Sequence, residues 1–145
     1  MLQPLNPPVR ILLGPGPSDI HPRVLAALAR PTVGHLDPYY LELMNRMQQM
    51  LREMFRTKNE MTMAISGTGS AGMEAAVVNV IEPGDSMLIC INGVFGARMA
   101  DVAQRAGANV TKIERPWGEV FTPADLKDAL AKAKPKVVGL VMAET

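Results

Sequence analysis

The stretch ISGTGSAGMEAAVVNV, residues 65–80, decides the fold. Its glycines Gly67, Gly69 and Gly72 spell G-x-G-x-x-G between an apolar, strand-like run, MTMAIS (61–66), and an apolar run that reads as helix from about Ser70 to Ile81. A strand that enters a glycine-rich turn and leaves it as a helix makes an anion site. The first N–H groups of the helix point back into the turn, and the helix dipole puts positive charge there. Ser66, Thr68 and Ser70 add hydroxyls at the same end. Two readings of the turn stand on the residues alone: a cradle for a phosphate, or a tight turn whose hydroxyls only cap the helix.

Downstream the alternation continues. A turn EPGD (82–85) leads to a strand SMLICI (86–91), a loop NGVFG (92–96) and a helix from about Ala97 to Ala106, stopped by Gly107 before a strand NVTKIE (109–114). Thr122 then caps a helix with Pro123 at its first position and Asp125 three residues after the cap, close to a capping box. The near-continuous apolar run KVVGLVMA (136–143) is a strand of the kind covered on both faces. This β-α-β-α-β-α-β succession predicts an α/β fold: a doubly wound, mostly parallel sheet with flanking helices and right-handed crossovers. The chain ends at Thr145, just past a buried strand, where such a sheet normally places ligand contacts and begins a connection, so the ending reads as an interruption.

Upstream, Pro4, Pro7, Pro8, Pro15 and Pro17 make residues 1–20 an extended arm. A short helix is expected from Pro22, with Val24, Leu25 and Leu28 on one face, followed by a loop PTVGHLDP (31–38). Asp37 as N-cap and Pro38 at the first helical position start a longer helix that runs to about Arg56. Leu43, Met47, Met50, Leu51 and Met54 form one apolar stripe along it, which reads as a core-facing surface.

Composition excludes several classes of function. With 15 basic and 14 acidic residues the net charge is +1, which leaves no electrostatic footprint for nucleic acid or an anionic membrane. The single Cys90 cannot form an internal disulfide and reads as a buried small hydrophobe. No run reaches the roughly 18 apolar residues of a membrane span, so a soluble cytoplasmic protein is expected. There are two histidines and no paired-ligand spacing, so no metal site is expected. His21, just before a proline at a helix start, reads as structural, whereas His35, in the loop beside Asp37, is a candidate substrate contact.

Which phosphate compound would the turn hold? A dinucleotide site calls for an acidic residue at the end of the next strand, about 20 residues on. Here SMLICI ends in Asn92-Gly93, and Asp85 sits at the wrong end of that strand. A P-loop fails as well, since Gly-Lys-Ser/Thr is absent from the turn. The loop NGVFG emerges at the same sheet edge as the glycine-rich turn, so Phe95 could stack on a planar ligand or close the hydrophobic core.

With LLGPGPS (12–18), VGHLDP (33–38), SGTGSAGMEAAVVNVIEPGD (66–85), NGVFGAR (92–98) and MAET (142–145) in this order, the chain resembles the alanine:glyoxylate and serine:pyruvate aminotransferases. These are class V members of the fold-type I pyridoxal-phosphate enzymes. The resemblance implies the N-terminal part of a large cofactor-binding domain over residues 21–145, preceded by the arm at 1–20. It implies pyridoxal 5'-phosphate as cofactor, with Thr68, Gly69 and Ser70 on its phosphate, Phe95 stacked on its ring and Thr145 near its phenolic oxygen. Phenylalanine is a departure here, since a tryptophan is common at that position. Gly14 and Gly16 in the arm, and His35, correspond to segments reaching the substrate pocket. Small amino acid and 2-oxo acid substrates and a homodimer follow from the same resemblance. The family's Schiff-base lysine, its aspartate on the ring nitrogen and its arginine on the substrate carboxylate fall beyond Thr145. These 145 residues alone are therefore expected not to catalyse transamination.

Overall fold

In a computed structural model of the protein, which describes residues 3–14 and 16–144, the chain divides into two units, Met1–Met63 and Ala64–Thr145. In the first, α1 (Pro22–Leu28) starts as its sequence demands. His21 is the N-cap, its Nδ1 accepts the Arg23 N–H at 3.1 Å, and Pro22 occupies the first turn. The structural role expected of His21 is thus observed. Helix α2 (Pro38–Phe55) begins with the Asp37 carboxylate accepting the Tyr39 N–H at 2.8 Å, and it ends at Arg56 in the left-handed region with φ 51°. Its apolar stripe forms but is not buried, as Leu43, Met50 and Met54 are all exposed. Periodicity specified the helix; it could not specify what would cover it.

The second unit holds α3 (Gly69–Val80), β1 (Ser86–Ile91), α4 (Val94–Arg105), β2 (Asn109–Glu114), α5 (Pro123–Ala133) and β3 (Val137–Gly139). The strands form a parallel sheet in the order β2-β1-β3, so β1 is central. Leu88 stands opposite Thr111 on one side and Val138 on the other. Successive side chains of β1 point to opposite faces. Met87 and Ile89 join Val77 and Ile81 at the end of α3 and Ala100, Val102 and Ala103 of α4 in the main core. On the other face, Thr111 and Ile113, the register partners of Leu88 and Cys90, line a cavity with Asp125, Asp128 and Ala129 of α5. Leu88, Ile89 and Cys90 are fully buried, as a central strand covered on both faces requires. The α/β fold with a parallel sheet and flanking helices is as expected from the alternation.

Helix α5 carries the full capping box: the Asp125 carboxylate accepts the Thr122 N–H at 2.8 Å, and the Thr122 hydroxyl accepts the Asp125 N–H at 3.4 Å. Three local expectations change. MTMAIS forms no strand, and Met61, Met63 and Ile65 remain exposed. A strand exists only through a ladder partner, and among the described residues none pairs with this run. KVVGLVMA is strand only at Val137–Gly139, where it pairs with Met87 to Ile89, while Leu140 and Met142 are exposed. Finally, α4 begins at Val94, three residues before its expected start, so Val94, Phe95 and Gly96 of the loop NGVFG are helix. The cause of this early start lies in the site.

Candidate functional site

The glycine-rich turn delivers the chain to α3. Gly67 has φ +155°, a conformation that favours glycine, and Thr68 is the N-cap in an extended conformation. The Thr68 hydroxyl accepts the Ala71 N–H at 3.2 Å, and the Thr68 carbonyl accepts the Gly72 N–H at 3.1 Å. Gly69 and Ser70 are the first two helical residues, whose N–H groups have no acceptor within a helix. A Cβ at Gly69 would meet nothing within 4 Å, so the turn is open on that side. The capping reading of the hydroxyls holds for Thr68, and it leaves the two amides available.

Ser70 is tied elsewhere. Its Oγ accepts a hydrogen bond from Arg98 Nη1 at 2.8 Å, and the Arg98 guanidinium carbon lies 5.3 Å from the centroid of the Phe95 ring. One side chain of α4 thus links the hydroxyl of the glycine-rich turn to the aromatic of the second loop and puts a positive charge between them. Phe95 is half-buried, and it lines an apolar cavity of about 500 Å³ with Met73, Val77, Met99, Leu140 and Ala143.

Phe95 is held through its backbone. Helix α4 has Gly93 as N-cap and no capping bond from that residue's side. In its place, the Glu144 carboxylate accepts the Phe95 N–H at 2.9 Å and the Gly96 N–H at 2.8 Å, one on each oxygen. Gly93 makes room for the carboxylate, and Gly96 lets the helix start lie against β1. A Cβ on Gly93 would lie 2.5 Å from Glu144 Cδ, and one on Gly96 would lie 2.8 Å from the Cys90 carbonyl oxygen and 3.5 Å from Glu144 Oε2. With its first amides satisfied, the helix can start at Val94, which explains its early beginning. Asn92, at the end of β1, donates from Nδ2 to the Glu119 carbonyl at 2.8 Å and lines a second cavity, of about 470 Å³, with Trp117, Phe121 and Glu144.

Thr68, Gly69, Ser70 and Phe95 are therefore brought together, with Arg98 and Glu144 as the two contributors that the residues alone did not reveal. Arg98 had a faint signal: it lies three residues after Phe95 on one helix, the spacing at which side chains meet. Glu144 had none, being 49 residues from the amide it binds. Thr145 lies outside the described residues. Gly14, Gly16 and His35 belong to the first unit and are exposed there, the glycines in non-helical chain and His35 in a turn before Asp37. Burial, and then the charge of Asp125, push the Cys90 thiol up from its ordinary pKa, which suits the packing role expected of it. Among the described residues no group of three or more His, Cys, Asp or Glu is placed to hold a metal ion, and no helix is long and apolar enough to cross a membrane.

Residues 17–145 match the family of class-V aminotransferases. The (S)-ureidoglycine–glyoxylate transaminase of Bacillus subtilis (strain 168) is 46% identical over 138 residues, a match covering 95% of this chain and 33% of the relative. The alanine–glyoxylate aminotransferase of Felis catus is 41% identical over 145 residues, covering 100% of this chain and 35% of the relative. Among solved structures, that of an alanine–glyoxylate aminotransferase from Nostoc sp. is similar with a TM-score of 0.90 and 51% identity, over 99% of this chain and 38% of that one. The chain thus spans about a third of the length of the curated relatives it matches. Taken with a parallel sheet and with a glycine-rich turn and an aromatic linked through Arg98, this match over residues 17–145 means that the chain belongs to the class-V aminotransferase family.

Proposed function

We propose that the full-length protein is a pyridoxal 5'-phosphate-dependent aminotransferase that moves an amino group from alanine or serine to glyoxylate or pyruvate. This chain supplies the seat for the cofactor phosphate and not the Schiff-base lysine. The observation that carries the reading is the start of α3, where the Thr68 and Ser70 hydroxyls and two helix-end amides lie together and Ser70 is bonded to the Arg98 guanidinium beside Phe95. These groups suit a phosphate on three counts: hydroxyl and amide donors, the positive end of a helix, and a full positive charge. When bound, the cofactor supplies a ring that stores the electron pair released from the amino acid.

The roles of this chain's residues follow. Thr68, Gly69 and Ser70 bind the phosphate, and Phe95 orients the ring by stacking. Thr145 approaches the phenolic oxygen, while backbone groups of Gly14 and Gly16 together with His35 serve the substrate pocket. Residues 21–145 are read as part of one large domain, with 1–20 as its arm. The reading extends to a homodimer and a cytoplasmic location, the latter supported by a single, unpaired cysteine. An alternative dinucleotide site is disfavoured, since the end of β1 offers the Asn92 amide, turned to the Glu119 carbonyl, where a carboxylate is needed.

A second donor has specific support: (S)-ureidoglycine, named for the Bacillus relative at 46% identity. The test is to give the full-length protein, loaded with pyridoxal phosphate, each of alanine, serine and (S)-ureidoglycine with glyoxylate, and to measure glycine formed. Glycine from alanine or serine is expected. Glycine from (S)-ureidoglycine alone would move the assignment to the second donor, and none from any donor would overturn the aminotransferase reading. The 145-residue chain by itself is expected to give none.

A further inference from the structure

We propose that Glu144 is a positioning residue for Phe95, acting through the backbone at the start of α4; the inference rests on the cofactor reading given above. The aromatic is carried by the first turn of a helix whose own N-cap, Gly93, has no side chain to close it. An uncapped helix end frays, and a ring on it would not hold one orientation. Glu144 closes this end from the segment that follows β3, its two oxygens on the successive amides of Phe95 and Gly96 at 2.9 and 2.8 Å. A carboxylate there is favoured twice over: by two charge-assisted bonds and by the positive end of the helix.

The fit depends on what is absent at Gly93 and Gly96. Each lacks the Cβ that would run into Glu144 or into the β1 backbone, so the carboxylate can sit directly over the helix end. Phe95 itself then has little freedom. Its amide is tied to Glu144, its ring lies under Arg98, and Arg98 is tied to Ser70 at the glycine-rich turn. A chain of contacts therefore runs from the end of β3 through the helix start to the proposed phosphate seat, and Glu144 is its anchor.

The test is a double-mutant cycle in the full-length protein. Pyridoxal phosphate affinity and the visible circular-dichroism band of the bound cofactor are measured for the parent, Glu144→Gln, Phe95→Leu and the double variant. Glu144→Gln keeps the side chain's size but loses the charge and one acceptor, and it is expected to weaken cofactor binding by roughly tenfold and to diminish the dichroic band. In the Phe95→Leu background the same change is expected to cost less than about twofold, because the group it positions is gone. Equal losses in both backgrounds, or none in the parent, would overturn the proposal.

A second variant guards against misfolding of the first. Gly93→Ala places a Cβ 2.5 Å from Glu144 Cδ and displaces the carboxylate from the other side, so it should reproduce the Glu144→Gln phenotype. Amide exchange over residues 93–98 without cofactor separates the two levels of inference. Faster exchange in Glu144→Gln is expected, and unchanged exchange refutes the hold of Glu144 on this turn. A parent protein that fails to bind pyridoxal phosphate while showing the exchange effect would sink the cofactor reading and leave the anchor standing as a structural one.

Discussion

Helix α3 has Thr68 as N-cap and α4 has Gly93, and the two close their first turns in opposite ways. At α3 the closing group is local: Thr68, three residues from the amide it accepts. At α4 it is remote: Glu144, 49 and 48 residues from the two amides it holds. The electrostatic consequence differs as well. A hydroxyl satisfies a donor without cancelling the positive end of the helix, whereas a carboxylate does both. The start of α3 is therefore left attractive to an outside anion, and the start of α4 has already been given one by the protein. This asymmetry separates a proposed phosphate seat from a mount for a side chain.

The contrast can be broken most sharply at Gly96. Its Cβ would lie 2.8 Å from the Cys90 carbonyl and 3.1 Å from Ile91 Cα, backbone atoms of the central strand that cannot yield. Gly96→Ala is expected to cost about 2–3 kcal/mol in urea unfolding. A cost below about 0.5 kcal/mol, the level of an ordinary surface substitution, would mean that α4 is free to lift off β1 and its remote closure is not a tight one. Glu144→Ala comes next, since it strips two charge-assisted bonds and leaves two amides unclosed. A loss of about 1.5–3 kcal/mol is expected from the same titration. Thr68→Ala, the matching change at α3, should cost less, about 1 kcal/mol, as an ordinary N-cap does. If Thr68→Ala proved the costlier of the two, the assignment of local and remote closure to the two helices would have to be reversed.

The smallest expected effect is a pH dependence at a third site that joins local and remote partners. The Asp85 carboxylate accepts from Lys136 Nζ, 51 residues away, and from the Glu82 N–H at 2.7 Å. The Lys136 bond, and then the Glu82 amide, hold its pKa below the ordinary aspartate value, and Asp85 in turn raises that of Lys136. A carboxyl lowered on folding gives stability that is full above its unfolded pKa, about 3.9, and is lost as pH falls through the lower folded value. A lysine raised on folding gives stability that is full below about 10.4 and is lost as pH rises through the higher folded value. Both contributions are present at neutral pH. In Asp85→Asn, thermal unfolding should show a shallower decline at the acid and the alkaline limbs alike, and unchanged limbs would show that the pair does not stabilise the fold.

How much of this was legible depended on the distance over which each signal acts. Asp37 and the Thr122–Asp125 box cap their helices as the sequence says, and His21, read as structural, proves to cap α1, because a cap and its amide lie within three residues of each other. SMLICI and NVTKIE were recognisable as strands, and they pair in register from Ser86–Asn109 to Ile91–Glu114. MTMAIS has the same apolar character and is no strand, since apolar character states a preference while a ladder needs a second chain segment alongside. The stripe on α2 fails in the same manner, with Met50 and Met54 exposed.

The candidate site divides along the same line. By itself the sequence determined the glycine-rich helix start, its hydroxyls at Thr68 and Ser70, the aromatic at Phe95 and the resemblance that the family match bears out. Only the tertiary structure decided that α4 begins at Val94, that Arg98 reaches Ser70 across to the neighbouring helix, and that Glu144 closes the turn carrying Phe95. The physical reason is that composition and spacing encode what a residue can do to neighbours a few positions away. A carboxylate 49 residues from its amide acquires a meaning only when β1 and β3 pair side by side and bring the two ends together.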